Sequence, residues 1–238
     1  MQDSATIAPR WTLAGIVEGM RASLVVLPSL AMFAAGFGAV AAQKGLTLFE
    51  ATMMSAVVYA GVSQFVAMEG WTGQFTLAGL ATITAITMIV NLRFVLLGGA
   101  LRPWLGPLPA WQVYPSLFFL SDAGWLMAMR YRAEGGNDAG YFLGTGLARW
   151  TAWIIATVPG YLAGAAVADP HRFGLDMIMP AFFSALLVPL WRGPRRALSW
   201  LIAGLVAVTL AQLTSGWWFI VVGALAGSIA GGWIDDRD

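Results

Sequence analysis

Apolar residues fall along this chain in long blocks divided by short polar, glycine- or proline-marked breaks. The blocks lie near residues 22–42, 50–68, 76–100, 112–130, 141–167, 176–191, 197–213 and 216–233. A helix needs about 20 apolar residues to cross a bilayer. Blocks of this length without period-two alternation predict membrane helices rather than barrel strands. The expected fold is all-α: a polytopic membrane bundle of about eight transmembrane helices. The last three blocks are short and the turn at Ser215-Gly216 is tight, so seven spans with one re-entrant pair is the alternative. Residues 1–238 read as a single transmembrane domain, with 1–18 a cytoplasmic N-terminal segment and 234–238 a cytoplasmic tail. Residues 1–18 hold no continuous apolar core, and Glu18 and Arg21 interrupt the approach to the first block, so a cleaved signal is not expected.

Composition sharpens this picture. Of the 238 residues 59% are hydrophobic and 11% charged, whereas a soluble domain carries about 25% charged residues. The net charge of +1 gives no bulk positive field for nucleic acid. With no cysteine and the single histidine His171, thiolate and histidine metal sites are excluded, and no cofactor is expected. No phosphate-binding loop, zinc-protease helix or serine-nucleophile elbow occurs, so the chain does not read as an enzyme.

The basic residues set an orientation. With eight spans and both termini inside, Arg10, Arg21, Arg130, Arg132, Arg192, Arg195, Arg196 and Arg237 fall on the cytoplasmic side, against Lys44, Arg102 and Arg172 outside. Trp104, Trp111, Tyr131, Tyr141, Trp191, Trp200, Trp217, Trp218 and Trp233 lie near span ends, as interfacial anchors do. Gly223, Gly227 and Gly231, like Gly140/Gly144 and Gly160/Gly164, recur every four residues and let helices approach closely, within this chain or against a partner.

Ionisable groups at membrane depth are costly and ask for a partner or a water-filled cavity. Asp122, Arg93 and Arg149 are such groups, and either arginine can neutralise Asp122, as a structural ion pair or in a substrate or proton role. Glu69 and Asp176 sit at span ends, where solvation suffices. The first block reads as interrupted through Pro28, Gly36 and Gly38, and the second through Gly61, Ser63 and Gln64. Backbone N–H groups freed at such a half-helix start can cradle a carboxylate, although a proline kink without a ligand is equally common. Leu27-Pro28-Ser29-Leu30 echoes Met179-Pro180-Ala181-Phe182, a hint of an inverted repeat with interrupted helices.

The stretch from Arg21 to Phe65 holds Pro28, Gly36-Phe37-Gly38, Gly45 to Ala51 (GLTLFEA), Met54-Ser55 and Ala60-Gly61-Val62-Ser63-Gln64-Phe65. With Asn91-Leu92-Arg93, Asp122 and the Asp176 to Phe182 motif, it resembles the branched-chain amino acid exporters of the azaleucine-resistance, AzlC-like, type. Phe94 and Leu97 stand where that family usually has a His and a Tyr, and Ala123 follows Asp122 where it has an acid pair. The resemblance implies a secondary exporter of branched-chain or similar apolar amino acids in the bacterial inner membrane, working with a small multi-span AzlD-like subunit. A zwitterion needs a positive dipole end or an arginine, an anionic or carbonyl partner, and an apolar pocket. Ser63, Gln64, Asn91 and the loosened first block supply the polar clamp, with Arg93 opposite Asp122. Phe33, Phe37 and Phe65 supply the wall, and Asp122 is the proton-coupling candidate. The other classes are a non-transporting scaffold or regulatory subunit and a small-solute channel.

Overall fold

The computed structural model describes residues 9–71, 76–167, 177, 184, 191, 193–213 and 218–235. Among the described residues every extended element is a helix. They are α1 (Leu13–Ser23), α2 (Leu27–Gln43), α3 (Leu48–Val57), α4 (Gly61–Glu69), α5 (Leu77–Asn91), α6 (Arg93–Leu105), α7 (Ala110–Phe118), α8 (Asp122–Ala133) and α9 (Gly140–Ala166), followed by α10 (Pro194–Leu213) and α11 (Trp218–Asp235). The chain divides into two compact units, Met1–Phe75 with Val90–Leu175, and Thr76–Ile89 with Asp176–Asp238.

In the first unit the 27-residue α9 is the spine. Glycine faces bring neighbouring backbones onto it. A Cβ on Gly38 of α2 would lie 2.2 Å from the Thr157 carbonyl oxygen, and one on Gly160 would lie 2.1 Å from that of Ala35. Gly19 of α1 meets the Tyr141 carbonyl, and Gly144 meets that of Ile16. These are small-residue packings of the kind that hold membrane helices without a hydrophobic drive. Hydrogen bonds from α9 tie in α3: Trp150 Nε1 donates to the Ala56 carbonyl at 2.9 Å, and the Tyr161 hydroxyl donates to that of Leu46 at 2.8 Å. In the second unit Gly223 and Gly227 of α11 pack on Ala203 and Ser199 of α10, so this glycine series is used inside the chain.

Three predicted spans are broken. The first block, 22–42, begins at a bend: α1 and α2 meet at 74° across residues 24–26. Pro28 is the cause, because it has no N–H to offer the Leu24 carbonyl one turn upstream and its ring crowds that carbonyl. The expected interruption at Gly36 and Gly38 is corrected: α2 runs unbroken through both, and Gly38 serves helix contact. Residues 13–18 of the expected N-terminal segment belong to α1, which lies on α9. The second span breaks at residues 58–60, where Tyr59 takes φ 42°, a left-handed conformation that costs a bulky residue about 1–3 kcal/mol. The fourth span, read as continuous, breaks at residues 119–121, where extended Ser121 caps α8 through Gly124 N–H.

The GLTLFEA motif has a local explanation. Gly45 takes φ +81° to end the turn after α2, and Thr47 and Glu50 form a reciprocal capping box that starts α3. Helices α5 and α6 run on as one apolar stretch, Leu77–Leu105, long enough to cross a bilayer. Leu77, Met88, Val95 and Leu96 on it are exposed, a surface suited to lipid. Trp104 and Tyr141, expected as interfacial anchors, are instead buried. Trp104 lies near Tyr131, and Tyr141 stacks on Tyr131 at 4.0 Å, so both serve internal packing. Trp111, Trp191 and Trp233 are exposed. The sixth span, Asp176, the Met179 to Phe182 echo and the Ser215-Gly216 turn lie outside the described residues, apart from isolated positions in that span.

Candidate functional site

Thr145, Arg149, Trp153 and Thr157 repeat every four residues along α9 and therefore share one face. All four are buried. A buried face carrying an arginine and two hydroxyls is not what packing alone requires, and two of the helix breaks meet it.

The first is the α3–α4 break. Helix α4 begins at Gly61 after Ala60, which offers no side-chain cap, so the first N–H groups of the helix lack a capping acceptor. Gly61 lies beneath two rings, and a Cβ there would sit 2.6 Å from Trp153 Cη2 and 2.9 Å from Phe33 Cε1. Phe33 stacks on Phe65 at 4.7 Å, and Trp153 meets Phe33 edge-on at 5.1 Å. Phe37 closes the cluster against Phe65 at 5.9 Å. An uncapped helix start thus adjoins an aromatic wall. Polar groups flank it: Gln64 Nε2 donates to Ser55 Oγ at 3.4 Å, and that hydroxyl pairs with Thr157 Oγ1 at 2.9 Å. Gln64 Oε1 and Trp153 Nε1 are buried without a hydrogen-bond partner, a cost normally avoided in an interior.

The second is the α7–α8 break. Phe119 in it packs on Tyr59 at 6.3 Å and on Trp150 at 5.8 Å. Arg149 Nε donates to the Thr145 carbonyl at 2.8 Å, and Nη1 donates to Ser121 Oγ at 2.6 Å.

The residues expected from sequence sort into groups. Gly61, Ser63, Gln64 and Phe65 occupy the first turn and a half of α4. Ser63 Oγ donates to Asn91 Oδ1 at 2.8 Å, linking α4 to the end of α5. Arg93 Nη2 and Asp122 Oδ2 form an ion pair at 3.1 Å, so Arg93 and not Arg149 is the partner of Asp122. The expectation of a pair buried within the chain is corrected: the two side chains are 40% and 58% exposed. Gln64 shares no hydrogen bond with either, so the polar groups do not merge into one network. Pro28 stands exposed at the start of α2, and Gly36 and Gly38 lie inside that helix. Pro28 and Gly38 thus serve helix bending and packing. The side chain of Glu69 is outside the described residues. Sequence reasoning named Ser55 only as part of a motif and missed Ser121, Thr145, Trp153 and Thr157; the available signal was the four-residue period of α9 and Ser121-Asp122 as a helix start. Among the described residues no cluster of metal-ligating side chains occurs.

Comparison with known proteins agrees with this architecture. The AzlC protein family model matches residues 25–167, which hold both breaks and the spine. The inner membrane protein YgaZ of Escherichia coli (strain K12) is 26% identical over 243 residues, covering 96% of this chain and 93% of its own length. A membrane protein of Archaeoglobus fulgidus is 26% identical over 218 residues, 91% of this chain and 94% of its own. One from Helicobacter pylori (strain J99) is 24% identical over 187 residues, 78% of this chain and 80% of its own. No solved structure matches the chain. With an all-helical fold, long apolar exposed helices and a family match across the spine and both breaks, the chain is a membrane protein and belongs to the AzlC protein family.

Proposed function

We propose that this protein is a secondary transporter exporting branched-chain or similar apolar amino acids across the bacterial inner membrane, with both termini cytoplasmic and a small multi-span AzlD-like subunit as partner. The observation that carries the reading is the uncapped start of α4 beside the wall of Phe33, Phe65 and Trp153. Broken helices whose half-helix ends face a substrate are the usual binding device of secondary transporters. At the start of α4 the unpartnered Gln64 Oε1 suits an ammonium donor, and the rings beside it suit an aliphatic side chain. Asp122, held by Arg93, supplies the proton-coupling group, since a carboxylate that exchanges a proton gains and loses its hold on an arginine.

The test is counterflow of labelled valine and leucine in proteoliposomes, with and without the small subunit. Saturable exchange, suppressed by unlabelled branched-chain amino acids, is expected. Absence of exchange in both preparations supports a scaffold role, and flux without saturation supports a channel.

A further inference from the structure

At the start of α8 a buried cation meets uncharged acceptors only. Arg149 is 1% exposed, and its guanidinium stays charged at any ordinary pH. Of its five N–H groups, three hydrogen bonds are made: to the Thr145 carbonyl, Ser121 Oγ and Thr145 Oγ1. None of these acceptors carries a charge. Ser121 Oγ already accepts the Gly124 N–H at 3.3 Å, so its two lone pairs are committed and its own proton is one more donor.

The location makes the imbalance sharper. A Cβ on Gly124 would lie 2.2 Å from Arg149 Nη2, so the guanidinium rests on the first turn of α8. That turn is the positive end of the helix dipole. A buried cation is therefore pressed against a second positive pole. Asp122, the acidic residue of this turn, is engaged with Arg93. Neither the Arg93–Asp122 nor the Arg130–Glu134 ion pair reaches Arg149. Stable burial of a lone charge in an interior calls for an anion.

We propose that Arg149, with Ser121 and the first turn of α8, binds the carboxylate of the transported amino acid. This deepens the transport reading above and rests on it for the identity of the ligand. Arg149 and Trp153 stand one helical turn apart on the same face of α9, about 6 Å along the axis. A carboxylate on Arg149 therefore leaves an aliphatic side chain within reach of Trp153, Phe33 and Phe65. Gly124 allows the guanidinium to lie flat on the helix, where any side chain would displace it. In this conformation the guanidinium is sealed, so the ligand enters when the α7–α8 break moves, as alternating access requires.

The experiment measures equilibrium binding to the purified protein in nanodiscs of valine, 3-methylbutanoate (carboxylate, no ammonium) and 3-methylbutylamine (ammonium, no carboxylate). Valine and 3-methylbutanoate are expected to bind and the amine to bind at least tenfold more weakly. Arg149→Lys, which keeps the charge but loses the fork, is expected to weaken both carboxylates by roughly ten- to a hundredfold. Arg130→Gln, at an exposed ion pair far along α8, serves as the control. Amine binding equal to valine, unaltered 3-methylbutanoate binding in Arg149→Lys, or no carboxylate binding by the wild type overturns the proposal. If Arg149→Lys fails to fold, Ser121→Ala, which removes the Nη1 acceptor, takes its place: weaker binding of both carboxylates is expected, and unaltered binding overturns the proposal. Wild-type counterflow is run alongside: carboxylate binding that depends on Arg149, without exchange of valine, leaves the anion site standing and removes the transport reading.

Discussion

A methyl group at position 61 has no room. Its Cβ would meet Trp153 and Phe33 at 2.6 and 2.9 Å, and both rings are held by stacking contacts. Gly61→Ala therefore displaces the aromatic wall at the start of α4. Valine counterflow is expected to fall at least tenfold with the folded protein recovered in normal yield; undiminished exchange would separate this break from the site. A second residue-scale prediction concerns Asp122. Asp122→Asn keeps the shape of the side chain but removes the charge that Arg93 holds. Export driven by a pH gradient should disappear, while the variant elutes as a monodisperse species on gel filtration; retained pH-driven export would exclude coupling at this carboxyl. The polar group of α4 was legible in the sequence because Gly61, Ser63 and Gln64 interrupt an apolar block. Thr145 and Thr157 were not, since each hydroxyl bonds a carbonyl of its own helix and a threonine so satisfied is unremarkable in an apolar run. Arg149 was visible as a charge, but only the fold reveals that Asp122 is already taken.

At the scale of the element, glycines separate packing from permissive positions. Gly38→Ala and Gly160→Ala each force a methyl onto backbone carbonyl oxygens, at 2.2 and 2.1 Å. Separating α2 from α9 in this way is expected to cost about 1–3 kcal/mol or more, seen as a lower thermal unfolding midpoint in detergent. Gly99→Ala and Gly204→Ala meet open space and should leave the midpoint unchanged or raise it, by up to about 1 kcal/mol of helix propensity. A reversed order between the two pairs would contradict the packing described. Element existence was readable from apolar block length; the breaks were only partly so. Pro28 acts one turn upstream of itself, which moves the bend out of the glycine-rich stretch and into residues 24–26. Ser121 caps α8 shortly after α7 has ended at Phe118, and a capping serine inside an apolar block looks like any other small residue until the backbone is seen.

At the scale of the molecule, the scarcity of charge in the sequence is an allocation. Among the described residues most basic groups stand at or near helix ends, Arg93 is paired with Asp122, and Arg149 is enclosed beside the start of α8. The family match spans the α3–α4 and α7–α8 breaks and the spine, and these breaks bring two helix starts to one face of α9. Pattern alone reached the helical membrane fold, because long apolar blocks have few other outcomes. It did not reach the convergence on α9, which depends on contacts of Gly61 with Trp153 and of Gly124 with Arg149 between separate segments. The most direct test of the central claim is an experimental structure of the protein in lipid nanodiscs at saturating valine. Ligand density between the start of α4, Trp153 and Arg149 is the predicted result. Density confined to the exposed Arg93–Asp122 pair, or lying away from α9, would contradict it.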